Sequence, residues 1–316
     1  MKKRINSPWS LSLSKGSKGS KGLVIAAALL MFTACSSAPK RSMQVSTIYS
    51  TAAEMIESAN ACILSGDYDK AGFFLSAAEN QAMSIDNYDL LTAASLARCS
   101  LSLSVNPPDI ETAERYVGFA QGFVKNCVDP KKQQALVALN EVRIEIAKGN
   151  LDENANVNTT ALLTKLEENK KDVKGDPYYE AQFTLAQGDA YKLKKDYLGA
   201  DKSYTAAAKE FTDNRYLSEI GISWYKAAQA RSLAGNKEDA LKAMEEAIFY
   251  DRAAENSLAL GTDYYAVGLI LIKGSPTPAE KERAVEAFNH SAEIFTAVDA
   301  EELAKKSRTA AGQVQK

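Results

Sequence analysis

Lys194-Lys195-Asp196-Tyr197-Leu198-Gly199-Ala200 and Ala234-Gly235-Asn236-Lys237-Glu238-Asp239-Ala240 are two copies of one punctuation mark. In each, a turn-compatible residue ends one amphipathic run, polar residues open the next, and an alanine stands one turn inside it. Ser65-Gly66-Asp67-Tyr68-Asp69-Lys70-Ala71 is a third copy. Asp and Asn at such positions accept hydrogen bonds from the first free backbone N–H groups of a helix. On both sides of each mark, apolar residues recur at three- and four-residue spacing, with no sustained strand-like alternation. The local reading is helix, tight turn, helix.

Working outward, the helices after the turns share a face. Ala71 is followed by Leu75 and Ala78, Ala113 by Val117 and Ala120, Ala200 by Tyr204 and Ala207, and Ala240 by Met244 and Ala247. Ala284 is followed by Phe288, with Ser291 in place of the second alanine. Offsets of four and seven put all three residues on one side of a helix. The small ones admit a partner helix at close range, and the large one fills the gap between pairs.

Gly188 and Tyr191 precede the Ala200 turn, Trp224 and Ala228 precede Ala240, and Ala59 precedes Ala71. Together these residues resemble the tetratricopeptide repeat (TPR), a pair of antiparallel helices. The match is strongest over 181–214 and 221–254, good over 52–85, and degenerate over 88–126 and 260–297. The unit between, about 130–172, lacks the signature. Spacing alone infers it, from a helix start at Asp129-Pro130 and a loop over 149–158. Repeat lengths exceed the usual ~34 residues. Further helix starts are read at Asp176-Pro177 and at Thr277-Pro278 with Glu280, the latter as a capping box. The resemblance implies an all-α, right-handed α-solenoid of about six TPR-like helix pairs over 46–298. A capping helix and tail at 299–316, helical over 301–311, would cover its last face.

The N-terminus reads as a targeting segment. A basic Ser/Gly-rich stretch leads into ten apolar residues, Leu23 to Phe32, too few for the roughly 20 needed to span a bilayer. Phe32-Thr33-Ala34-Cys35-Ser36 resembles a bacterial lipobox, although Phe32 stands where that family usually has an aliphatic residue. This implies a signal peptide over 1–34, lipidation of Cys35, and a flexible tether over 35–45. Ser36 is not the aspartate that retains such proteins at the inner membrane of enteric bacteria, which favours the outer membrane, facing the periplasm. Cys62, Cys99 and Cys127 are an odd number for an exported chain and read as small core residues. Beyond residue 34 the chain has 32 basic and 40 acidic residues. That excess of acid repels phosphate backbones, and no nucleic-acid partner is expected.

Catalysis has little to rest on. The single histidine, His290, excludes any two-imidazole mechanism. No glycine-rich loop, nucleophile elbow or ligand cluster at metal spacing appears, so no enzyme activity, cofactor or metal is expected. TPR resemblance implies instead that first helices line a concave groove. The register places Gln182, Leu185, Asp189 and Lys192 there from the fourth unit. Ile222, Tyr225, Gln229 and Ser232 come from the fifth, and Gly261, Tyr264, Gly268 and Leu271 from the sixth. Leu185, Asp189, Ile222, Tyr225, Gln229, Tyr264 and Leu271 are the expected partner-binding set. Without a basic clamp at these positions, and with Asn60 an isolated match, a chaperone-tail adaptor is disfavoured.

Two functions follow from the resemblance. One is a non-enzymatic scaffold in the envelope that takes a segment of another envelope protein into the groove. The other is a transporter-associated periplasmic protein with a small ligand in a pore or cavity, where Tyr178-Tyr179 and Tyr264-Tyr265 are candidate linings. An open groove favours the first; a closed cavity with convergent polar groups favours the second.

Overall fold

The computed structural model describes residues 46–152 and 154–315. The leader, Cys35 and the tether to residue 45 lie outside them. Among the described residues there are thirteen α-helices and no strand. They are α1 (Thr47–Leu64), α2 (Tyr68–Ser84), α3 (Tyr88–Ser104), α4 (Ile110–Phe123), α5 (Pro130–Leu151), α6 (Thr159–Lys170) and α7 (Pro177–Leu193). Then come α8 (Tyr197–Asp213), α9 (Leu217–Leu233), α10 (Lys237–Ala253), α11 (Ser257–Ile272), α12 (Pro278–Ala297) and α13 (Glu301–Val314). Six helix pairs run from α1/α2 to α11/α12, and α13 packs on α12. The chain is an all-α solenoid.

Local chemistry sets the boundaries. Every helix from α2 to α12 except α9 opens on an Asp, Asn or Thr whose side chain accepts from the backbone N–H three residues on. Each such cap contributes about 1 kcal/mol. Thr277 and Glu280 form the reciprocal capping box, with Pro278 at the first helical position. Gly66 and Gly235 leave α1 and α9 at positive φ, where glycine carries no Cβ penalty.

The repeated face is the core. Ala71, Leu75 and Ala78, Ala200, Tyr204 and Ala207, and Ala240, Met244 and Ala247 are all fully buried. A Cβ on Gly188 of α7 would lie 2.5 Å from the Tyr204 ring, and one on Gly268 of α11 would lie 2.5 Å from the Phe288 ring. Glycine in the first helix thus receives the large residue of the second. Ser291 also has a reason: its hydroxyl donates to the Gly261 carbonyl at 2.7 Å and lies 2.9 Å from the Ser307 hydroxyl of α13. The cap helix covers this face with Ala304, Ser307 and Ala311.

The signature-less third unit is where the reading needs correction. α5 does not stop at the expected loop but runs through Gly149 to Leu151. A Cβ at Gly149 would meet Leu193 at 2.8 Å, so the glycine serves close packing against the end of α7. Residues 135–140 of α5 are all buried, because other helices cover it nearly all round. A helix buried on every side has no amphipathic stripe to reveal its register.

The first and sixth units also meet. Asn256 Nδ2 donates to the Leu64 carbonyl at 3.2 Å, 192 residues away in sequence. The Leu258 side chain lies where a Cβ on Gly66 would sit, 2.5 Å away. The turn after α1 therefore abuts the start of α11.

Candidate functional site: an internal channel

First helices face inward and leave a cavity of about 580 Å³. Its wall is drawn from α1, α3, α5, α7 and α9, with no residue from a second helix. Leu64, at the contact between the first and sixth units, is part of the lining. Ile56, Leu96, Leu136 and Leu185 supply apolar surface, and Tyr178 and Tyr179 stand edge-to-face with ring centroids 5.3 Å apart.

Polar groups converge on this space. Asp189 accepts from the Tyr204 hydroxyl at 2.7 Å and from Lys226 Nζ at 2.6 Å. Burial works against ionisation of Asp189, but Lys226, Lys192 and the Tyr204 hydroxyl outweigh it and hold its carboxyl below the usual range. Lys192 reaches Gln229 Oε1 at 3.4 Å; burial and then the neighbouring Lys226 push its ammonium down. Arg143 Nη2 donates to Gln182 Oε1 at 2.5 Å. Lys132 pairs with Asp176 at 2.8 Å. Glu219 is buried beside Tyr178, and burial pushes its carboxyl above the ordinary value. The wall carries four cations, Lys132, Arg143, Lys192 and Lys226, and two carboxyls, Asp189 and Glu219.

The expected binding residues divide between the wall and other surroundings. Gln182, Leu185, Asp189 and Lys192 line the channel along α7, and Ile222 lines it from α9. Gln229 touches it only through Lys192. Tyr225 packs in the core with Ala228 and Met244, because the channel-facing stripe of α9 runs through Glu219, Ile222 and Lys226. None of the sixth-unit residues lines the wall, since α11 begins where the ring meets α1. Tyr264 meets His290 edge-to-face, with ring centroids 4.3 Å apart, and its hydroxyl accepts from Arg252. Leu271 is buried with Ala284, Phe288 and Ala311, while Gly261 and Gly268 face the rings of Phe295 and Phe288. Of the two tyrosine pairs, Tyr178-Tyr179 lines the channel; Tyr265 packs on Phe288.

Lys132, Asn140 and Arg143 escaped the sequence reading because α5 has no repeat signature to give a register. One signal was available: Asn140 and Arg143 follow the apolar run Ala135 to Leu139 and stand three residues apart, a spacing that puts them on one helical face. The basic excess on the wall was also unforeseen in a chain whose overall balance is acidic.

Paired helices, alanine faces and inward first helices define a TPR-like helical-repeat protein. No family model matches the chain, and no curated protein does. Solved structures do. The apo form of RapI is similar with a TM-score of 0.57 at 12% identity, over 84% of this chain and 70% of that one. A Rap protein complexed with competence and sporulation factor gives 0.54 at 15%, over 82% and 70%. A signal-transduction ATPase with a tetratricopeptide-repeat sensor from Pyrococcus horikoshii gives 0.54 at 19%, over 82% of this chain and 38% of that one. At these identities the likeness concerns the fold.

Proposed function

We propose that this chain is a non-enzymatic binding protein of the bacterial cell envelope, tethered through a lipidated Cys35, whose binding element is the internal channel. One observation carries the reading: five first helices converge on a single cavity, with Leu64, at the contact of the first and sixth units, in its lining. A cavity of about 580 Å³ falls within the roughly 300–1,000 Å³ of small-molecule sites. Polar groups that converge on one cavity favour a small ligand held there, as in a transport accessory protein. Outer-membrane attachment facing the periplasm is part of the proposal and rests on the sequence around Cys35.

A protein partner is the second reading, favoured by the repeat architecture itself. Solenoids present extended surfaces to other chains, and the similar Rap protein was solved in complex with competence and sporulation factor. In this reading the chain is a scaffold that takes a partner segment into the channel or along its mouth.

The test is Ile222→Trp, which fills the channel from α9, compared with wild type purified from detergent-solubilised envelopes. Mass spectrometry of the denatured eluate reads retained small molecules and co-purifying proteins together. Small molecules held by wild type and lost by the folded variant support the first reading. A defined protein lost in the same way supports the second. Identical sets from both chains sink the channel as the binding element.

A further inference from the structure

Among the described residues, two of the four channel cations make no direct ion pair, although Lys192 lies near enough to Asp189 to feel its charge. Lys132 is held by Asp176 and Lys226 by Asp189. Arg143 reaches the Gln182 amide and Lys192 the Gln229 amide; among the described residues, neither makes an ion pair. A guanidinium offers five donors in a planar fork suited to a carboxylate. Only one Arg143 nitrogen, Nη2, is engaged within the protein.

A second observation lies one helical turn away. Asn140 is 4% exposed and lines the same wall. Its Nδ2 donates to the Leu136 carbonyl at 2.9 Å, but its buried Oδ1 has no partner among the described residues. A buried acceptor left without a donor is costly, and a ligand that supplies one removes that cost. Asn140 and Arg143 are three residues apart on α5, so the acceptor and the cation share a face. A ligand that satisfied both would present an anion and, next to it, a hydrogen-bond donor.

We propose that Arg143 and Asn140 form a subsite for a small organic acid with a hydroxyl or amino group beside its carboxylate. The carboxylate lies on the Arg143 guanidinium and the donor on Asn140 Oδ1. Lys192, on α7, adds positive potential, and Tyr178 and Leu136 offer apolar surface to the carbon skeleton. Cations lining a concave cavity concentrate anions even in a chain with excess acid. This subsite rests on the small-ligand reading of the channel and names the ligand's class.

The test is calorimetric titration of the full chain with D-gluconate, L-malate and L-glutamate. Hexanoate (acid without the donor), sorbitol (donors without the acid) and inorganic phosphate run beside them. At least one of the three acids should bind with sub-millimolar affinity, and hexanoate, sorbitol and phosphate at least about tenfold more weakly. Arg143→Gln should weaken the acid by about tenfold or more. Asn140→Leu should weaken it while leaving hexanoate unchanged, a split that a purely structural role would not produce. Lys192→Gln, on a different helix, gives a second reading of charge if either α5 variant fails to fold, and the wild-type ranking of probes needs no variant. The subsite is overturned if none of the three acids binds, if sorbitol or phosphate binds as well as they do, or if folded Arg143→Gln keeps full affinity. Sorbitol binding that Ile222→Trp abolishes would remove the acid and leave the channel standing. No probe bound, with nothing retained from envelopes, sinks both.

Discussion

Asp251 of α10 and Asp263 of α11 are each 1% exposed, and they face one another between helices. Gly221 of α9 backs them so closely that a Cβ there would lie 2.4 Å from Asp251 Oδ1. Asp251 Oδ1 and Asp263 Oδ2 have no other partner. Burial raises both carboxyls above their ordinary values, and for Asp263 the neighbouring Asp251 charge raises it further. Two carboxylates cannot both ionise at this range, so the folded pair keeps a shared proton that the unfolded chain gives up above about pH 4. The sign follows from linkage. Once the first of the pair has ionised, the native state still binds one more proton than the unfolded state, so stability is complete below the unfolded values and falls as pH rises toward the folded ones. One proton corresponds to about 1.4 kcal/mol per pH unit, or about 3 kcal/mol lost over two units. Tyr225, whose hydroxyl is raised chiefly by burial and further by the Asp263 charge, is the other titratable group shown facing the pair. Urea unfolding at intervals from pH 5 to 8 reads the slope directly. Asp263→Asn, which keeps a donor toward Asp251 without the second charge, should flatten the profile and be the more stable chain at the alkaline end. A wild type and variant with equal slopes would refute the shared proton.

Three further outcomes are expected. Gly188→Ala drives a Cβ into the buried Tyr204 ring and should cost roughly 1–3 kcal/mol in urea unfolding, despite a helix-propensity gain of about 1 kcal/mol. Gly118→Ala on α4, whose Cβ meets nothing within 4 Å, should instead gain about that amount; like signs for the two would contradict the packing account. Cys99 is fully buried and its thiol is pushed up to about 12 by burial. Iodoacetamide on the native chain should therefore leave it unlabelled while modifying the half-buried Cys62, as peptide mass mapping will read. Cys35→Ser should move the protein from the membrane to the soluble fraction of fractionated cells, and unchanged partitioning would rule out the proposed anchor.

How much could be read without coordinates varies along the chain with the packing. Helix starts were legible because a cap is a local event: Asp67, Asp196, Asn236 and Thr277 each satisfy N–H groups within their own first turn. The alanine faces were legible for a related reason. Ala200, Tyr204 and Ala207 must lie on one side of one helix whatever else the chain does, and helical spacing shows that directly. From these alone follow an all-α chain, its paired helices and the position of its final cap.

Tertiary structure decided the rest, because it depends on how successive pairs rotate against one another, and no single residue encodes that angle. The rotation brings Asn256 to Leu64 and sets five first helices around one cavity. It ends the wall at α9, which leaves Tyr264 and Leu271 in packing while Lys226 and Glu219 line the cavity. It also covers α5 nearly all round, and with little amphipathic contrast left, the helix gave no register from which to place Asn140 and Arg143 on the cavity wall. Sequence determined which surfaces each helix would bury against its partner, since that is a matter of one helix and its period. Which side chains would look at one another across the enclosed space was settled only when all the pairs were stacked.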